Sequence, residues 1–254
     1  MELDIEKLKN ETEKTLKRNK IILACLLTIG SFGFFCIYSY GPELLPADQK
    51  IVYRLPSTPL QLFQLSQVIQ KYAALNFWYV IFAISYLYIL LQSFCIPGPP
   101  ILNILAGTMF GFYQSFALVT ICSTVGSVLC YVIFETIGKG IAIRMFPGKI
   151  LFMHKKISEN RDRLFFYLLS IRVTPFVPKW LASISSPIVG VPLKTFGLTA
   201  MLGLIPHNFI HINAGIAIKT MKDFGLTLEN ILVLGGLGLL SFLPTFVIKK
   251  NKDD

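Results

Sequence analysis

Two positively charged side chains, Arg172 and Lys179, stand in a largely apolar stretch, residues 164–193, that holds no other charge. An arginine in an apolar medium costs several kcal/mol unless it is paired or hydrated. Its planar guanidinium matches the oxygens of a phosphate group in a bidentate manner. Two uses of Arg172 therefore stay open: it binds phosphate together with Lys179, or it caps the free carbonyls of a broken helix.

Amide and hydroxyl side chains recur within the apolar stretches. Such groups can donate hydrogen bonds to a polar ligand, and they can equally satisfy backbone groups that are freed where a helix breaks. The sequence does not separate these two uses. The residues concerned are Asn103, Ser185, Ser186, Asn208 and Asn213.

Catalytic and cofactor-binding patterns are missing from the sequence. It contains no Walker lysine loop, dinucleotide glycine fingerprint or nucleophile elbow. The acidic residues Glu135, Asp223 and Glu229 stand at the ends of apolar stretches and make no acid–base pair. His207 and His211, four residues apart, would share a helix face but lack a third ligand nearby. The sequence therefore predicts neither an enzyme nor a cofactor or metal site.

The composition places these residues in a membrane protein. Hydrophobic residues make up 54% of the 254 residues and charged residues only 15%, whereas soluble domains carry about 25% charged residues. The net charge of +10 comes from lysines and arginines that flank apolar stretches, which is typical of orientation in a bilayer. No nucleic-acid-binding pattern accompanies them, so nucleic acid is excluded as a partner. The five cysteines lie in apolar stretches and are predicted to be small buried hydrophobic side chains: Cys25, Cys36, Cys95, Cys122 and Cys130.

The N-terminal part of the chain predicts one helix and a connector. Residues 1–20 are polar, and residues 21–40 are uncharged and long enough for a first transmembrane helix. The polar leader and the lack of a clear small-residue cleavage site indicate that this helix is retained. The connector, which completes a region over residues 21–74, contains a predicted interfacial helix around residues 60–69.

The longest uncharged stretch lies between Lys71 and Glu135. As one helix it would be about 95 Å long, yet two crossings of a bilayer use only about 40 residues. The excess falls on proline- and glycine-rich sequence, and non-helical backbone survives at membrane depth only inside protein or beside a water-filled cavity. We therefore predict a re-entrant hairpin over residues 96–111 between full helices over residues 75–95 and 112–134.

The second broken apolar stretch, residues 164–193, follows a basic segment over residues 135–163. That segment is predicted either to lie at an anionic membrane surface or to be a solvated loop whose charge only sets topology. Two further spans are predicted over residues 195–218 and 230–248. The residues predicted to shape the two hairpins are Pro97, Gly98, Pro99, Gly107, Pro175, Pro178, Pro187, Pro192, Pro206 and Gly215.

Two interrupted apolar stretches, each followed by a long apolar helix, are the pattern of an internally repeated transporter. The expected fold is an all-α integral membrane protein with two re-entrant helical hairpins in an inverted repeat. In such proteins the broken segments meet near the membrane midplane. Gly107 and Gly111 form a small-xxx-small pair that would let helices approach closely.

Residues 169–215 contain the series R-x-x-P-x-x-P, S-P, V-P, G-x-x-P and A-G, and residues 94–112 read FCIPGPPILNILAGTMFGF. These motifs resemble the signature of the DedA/VTT-domain family, in its eukaryotic vacuole membrane protein 1 and transmembrane protein 41 type. The likeness covers residues 75–250, which form the predicted membrane domain. Members of the family often carry asparagine at the positions that Lys179 and Ser183 occupy here. A polar contact that needs those asparagine amides is therefore not carried over to this chain.

The resemblance implies an ATP-independent phospholipid scramblase of the endoplasmic reticulum, with roles in autophagosome and lipoprotein formation. The bacterial branch places acidic residues around its first hairpin, whereas this sequence has no acid between Tyr72 and Phe134, which favours passive scrambling. An ion- or proton-coupled secondary transporter and a non-transporting membrane scaffold stay open as alternatives. The predicted partners are phospholipids, with a homo-oligomer or other membrane proteins left open. The predicted headgroup pathway comprises Arg172, Lys179, Asn103, Ser185, Ser186, Asn208 and Asn213.

The chain ends carry signals for location. The polar tail covers residues 251–254, and residues 250–254 read KNKDD. This sequence resembles a lysine-based retrieval signal and can equally be a basic stop after the last helix. Basic flanks favour cytosolic termini, whereas five full crossings would place the termini on opposite sides. Glycosylation of the sequon at Asn10 would prove a lumenal N-terminus.

Overall fold

The computed structural model describes residues 24, 28, 30–56, 58–174 and 178–224. Every regular element in these ranges is a helix, so the all-α prediction is confirmed for the described part of the chain. The predicted span over residues 230–248, the Asn10 sequon and the lysine tail lie outside it. The chain divides into two compact units, which are taken in turn.

Unit 1 comprises Met1–Pro42, Trp78–Pro99 and Thr120–Ile205. The first helix, α1, covers residues 30–39 within the described range. A π-helical stretch over Phe134–Gly138 leads out of α5, and a 3-10 turn over Arg161–Arg163 precedes α8. The other helices that lie wholly or partly in this unit are α4 (Phe77–Ser93), α5 (Pro99–Ile133), α6 (Lys139–Met145), α7 (Pro147–Glu159), α8 (Leu164–Val173), α9 (Lys179–Ile188) and α10 (Leu193–Phe224).

The basic segment of unit 1 is helical and packs on the core. Helix α7 buries Ile150, Met153 and Ile157 on one face, and its lysines lie outside this buried face. Met153 and Ile157 join a cluster around Tyr131, whose hydroxyl donates to the carbonyl of Val191 over 2.6 Å. Helix α7 is therefore amphipathic, whereas placement of the basic segment at an anionic membrane surface stays a prediction.

Unit 2 comprises Glu43–Phe77, Pro100–Val119 and Pro206–Asp254. It holds α2 (Pro46–Val52) and α3 (Pro59–Ala73). Helix α3 begins where the Thr58 hydroxyl accepts a hydrogen bond from the Gln61 N–H over 3.3 Å, with Pro59 at the first helical position. The helix predicted around residues 60–69 is therefore present, and its interfacial placement stays a prediction.

Helix α5 breaks at Gly111, which has φ 72° and ψ −171°. The Ser115 hydroxyl donates to the carbonyl of Ala106 over 2.7 Å, although nine residues of continuous helix would separate these positions by about 13.5 Å. The chain therefore folds back at Gly111, between a short helix over residues 99–110 and a long one from residue 112. The predicted start of the next helix at residue 112 agrees with these bounds, whereas most of the predicted hairpin, residues 99–110, is one helix. The re-entrant hairpin is therefore not confirmed and stays a prediction.

The helices carry the length and surface of membrane spans. The stretches Pro99–Gly138, which the break at Gly111 divides, and Leu193–Thr220 contain apolar sequence long enough to cross a bilayer, and Phe77–Ser93 is a shorter apolar helix. Large apolar side chains on the outside are strongly exposed, with Trp78 at 80% and Phe166 at 71%. Exposed apolar surface of this kind suits contact with lipid.

Candidate functional site

The centre of the candidate site is Arg172, in the last turn of α8. Only 2% of the residue is exposed, and its guanidinium carbon lies 4.4 Å from the ring centroid of Phe196 on α10. A β-carbon at Gly203 would lie 2.6 Å from the β-carbon of Arg172, so the glycine makes room for the side chain. Two residues of α10, Phe196 and Gly203, thus hold the cation of α8 by stacking and by close packing.

The hydrogen-bonding groups of Arg172 are largely unsatisfied. Nε and Nη2 are buried and have no acceptor among the residues that the structure describes. Within the same range no acid pairs with Arg172, and Nε and Nη2 cap no carbonyl. The break after α8, residues 175–177, lies outside the described residues, so the capping role stays a prediction. A buried donor without an acceptor costs about 1–3 kcal/mol. The site therefore favours an incoming anion.

Lys179 is the first residue of α9 and is half-buried. It lies near enough to Arg172 for the two positive charges to repel. Helix α9 follows Pro178 without a side-chain cap and without an acid in its first turn. The start of a helix exposes free N–H groups and a partial positive charge, which together favour an anion. A lysine is unfavourable there for helix stability, and its predicted role in a headgroup pathway stays a prediction.

The two predicted serines lie on α9 in the same unit, fully buried. Ser185 donates its hydroxyl to the carbonyl of Leu181 over 2.6 Å, and Ser186 donates to that of Ala182 over 2.6 Å. Their protons are therefore used by the helix itself, and only their oxygens can accept a further hydrogen bond. Their place on a headgroup pathway stays a prediction.

The predicted asparagines fall in unit 2. The Asn103 side-chain amide donates to Oδ1 of Asn208 over 3.2 Å, and both residues are buried. Asn213 donates to the carbonyl of Phe209 over 2.8 Å, one turn earlier in α10. The predicted pathway set thus divides into a cationic group in unit 1 and an amide group in unit 2, and its role stays a prediction.

The residues predicted to shape hairpins mostly stand at helix ends. Two glycines have a different role: a β-carbon at Gly107 would fall on the carbonyl of Ile212, and one at Gly215 would fall on that of Ile104. Gly111 makes no such approach, so its expected packing role is wrong and it serves the turn. Pro175 lies outside the described residues; Pro97 and Gly98 precede α5, Pro99 begins it, Pro178 precedes α9, Pro187 lies in it, Pro192 precedes α10 and Pro206 lies inside α10.

Sequence reasoning missed the partners of these residues. Gln70 of α3 donates its amide to the carbonyls of Thr108 over 2.9 Å and Met109 over 3.2 Å. These carbonyls are freed by the break at Gly111, so Gln70 provides the helix capping in unit 2. Neither Gln70 nor Phe196 belongs to a motif, and only tertiary contacts identify them.

Comparison with known proteins gives a consistent result. The VTT domain family model matches residues 96–217. A transmembrane protein 41 homolog of Caenorhabditis elegans is 33% identical over 96% of this chain and 100% of its own length. One of Dictyostelium discoideum is 34% identical over 83% of this chain and 64% of its own. Transmembrane protein 41B of Gallus gallus is 31% identical over 91% of this chain and 87% of its own. No solved structure matches.

The apolar helices and these matches define an integral membrane protein with a VTT domain. The chain belongs to the transmembrane protein 41 family.

Proposed function

We propose that this protein is a phospholipid scramblase of the endoplasmic reticulum membrane, which moves lipids between leaflets without ATP. Through this activity it supports autophagosome formation and lipid distribution. The observation that carries the proposal is the buried guanidinium of Arg172, whose Nε and Nη2 have no acceptor among the described residues. A phospholipid headgroup brings a phosphate that matches these donors.

The surroundings of Arg172 support transient rather than permanent anion binding. Phosphate near Arg172 and Lys179 would offset the repulsion between the two cations. A fixed carboxylate would hold both cations in a structural pair, and no acid within the described ranges pairs with either of them. The two cations offset part of the free energy that a headgroup loses when it gives up its hydration. A headgroup can therefore bind and leave again.

The charge pattern supports passive transport. Around the first predicted hairpin, between Tyr72 and Phe134, no acid is present that could carry a coupled proton. Flow would then follow the lipid gradient in both directions.

The test is a lipid-flip assay on the purified full chain in liposomes. Fluorescent phospholipid is loaded in both leaflets, and the outer leaflet is quenched chemically without ATP or a pH gradient. Quenching well beyond half, in vesicles that exclude the quencher, is the expected result. Quenching that stops near half would contradict the proposal. In that case the assay is repeated with a proton gradient. Lipid flipping that appears only with the gradient would indicate a coupled transporter, and the absence of flipping under both conditions would indicate a scaffold.

A further inference from the structure

Two cysteine thiols of unit 1 lie side by side. The sulfur atoms of Cys95 and Cys130 are 3.3 Å apart, and both cysteines are free. Cys130 is fully buried on α5, whereas Cys95 is half-buried in the turn after α4. The sequence predicted both only as small hydrophobic side chains, so this proximity is a finding of the structure.

The backbone conformation at Cys95 differs from that at Cys130. Cys95 lies outside a helix with φ 56°, and the turn is closed by hydrogen bonds from its N–H to the Gln92 carbonyl over 3.3 Å and from the Ile96 N–H to the Leu91 carbonyl over 2.9 Å. A disulfide requires the sulfurs to come within about 2.05 Å, a movement of a little over 1 Å. A turn residue can supply that movement more easily than a residue inside a helix.

We propose that Cys95 and Cys130 form an intramolecular disulfide when the protein meets a peroxide. Hydrogen peroxide is small and uncharged, so it can reach a half-buried thiol. The Cys95 thiol gives up its proton, its thiolate attacks one peroxide oxygen and the O–O bond breaks, so that a sulfenic acid forms and the leaving hydroxide takes the proton to become water. The Cys130 sulfur then attacks the Cys95 sulfur, the S–O bond breaks, and the leaving hydroxide takes the Cys130 thiol proton to become a second water. Two thiols are oxidised and one peroxide is reduced to two waters.

The bond would join the turn after α4 to the C-terminal part of α5. It would enclose the residues from 96 to 129, which include the short helix over residues 99–110 and the turn at Gly111. A cross-link that closes a long loop restricts the unfolded chain. The oxidised protein should therefore melt at a higher temperature than the reduced protein.

The experiment uses the purified full chain in detergent. After treatment with hydrogen peroxide, free thiols are blocked with N-ethylmaleimide and peptides are analysed by mass spectrometry without reduction. The expected result is a peptide cross-linked between Cys95 and Cys130, and two fewer blocked thiols per chain. The C95S and C130S variants should lose both this peptide and the rise in melting temperature.

The controls separate this pair from general cysteine oxidation. The variants C36S and C122S keep the pair and should cross-link like the natural chain. The proposal is overturned if both thiols stay reduced after the peroxide treatment and are then blocked by N-ethylmaleimide. It is also overturned if Cys95 is oxidised to a sulfinic acid or if the cross-link joins two copies of the chain. Dibromobimane, which fluoresces after it bridges two neighbouring thiols, tests the proximity without an oxidant, and a bridge between Cys95 and Cys130 would support the proposal.

Discussion

The buried polar groups that stand out in the two units differ in how their donors are used. In unit 2, Gln70 caps the carbonyls freed by the break at Gly111, and the side-chain amide of Asn103 donates to Asn208. In unit 1, the buried Arg172 is held by an aromatic ring and keeps two donors without an acceptor among the described residues. A polar group that is satisfied internally stabilises a structure, whereas an unsatisfied cation is available for a ligand. The amides of unit 2 thus hold helices together, whereas Arg172 of unit 1 is the group that the proposed function uses.

The largest expected effect tests the packing of unit 2. In a G107L variant, the side chain would have to pass through the carbonyl of Ile212. We expect destabilisation of about 3 kcal/mol or more, seen as loss of monodisperse protein in size-exclusion chromatography and a lower melting temperature.

The matched control for this substitution is G197A in unit 1. There the nearest atom to an added β-carbon is a methyl carbon of Val128 at 3.6 Å, which is ordinary contact. Its melting temperature should equal or exceed that of the natural chain. If G107L were as stable as G197A, the close approach of Gly107 to Ile212 would be disproved.

The next effect tests the turn at Gly111. An added β-carbon meets nothing within 4 Å there, but φ is +72°, a conformation that costs other residues about 1–3 kcal/mol. A G111A variant should lose stability in that range, as measured by thermal melting in detergent.

Gly148 provides the comparison for G111A. It also has open space around an added β-carbon, and it lies in the first turn of α7. Because alanine favours helix, G148A should be neutral or slightly stabilising. Equal effects of the two substitutions would show that backbone strain at Gly111 is absent.

The smallest effect concerns the exposed ion pair of unit 2. Lys71 and Tyr72 each place a donor 2.9 Å from Oδ2 of Asp48. The hydrogen bond from Lys71, then that from Tyr72, lowers the pKa of Asp48, and the hydrogen bond to Asp48 raises the pKa of Lys71.

The sign of the pH dependence follows from these two shifts. The Asp48 contribution is complete above about pH 4 and is lost as the pH falls through its lowered pKa. The Lys71 contribution is complete below about pH 10 and is lost as the pH rises through its raised pKa. The natural chain should melt slightly above a D48N variant between these limits, and the gap should close in acid. A gap that widened in acid would contradict this assignment.

The sequence predicted the positions where the chain breaks better than the contacts made there. Proline and glycine act through their own backbone, so the break near residues 96–111 and the interruption before α9 were predictable. Phe196, Gly203 and Gln70 act through residues distant in sequence, so no local pattern identifies them. Arg172 was predicted because a charge in an apolar stretch needs a reason, whereas its stacking on Phe196 required the structure.

The central claim is that Arg172 acts through its charge and its free donors, and not through its packing. An R172M variant keeps an extended side chain against Phe196 and removes the buried charge, so stability should be unchanged or increased. Lipid flipping in liposomes should fall at least about tenfold, while R163M, a substitution of an exposed arginine in the 3-10 turn, should leave it unchanged. Natural flipping by a stably folded R172M protein would contradict the claim.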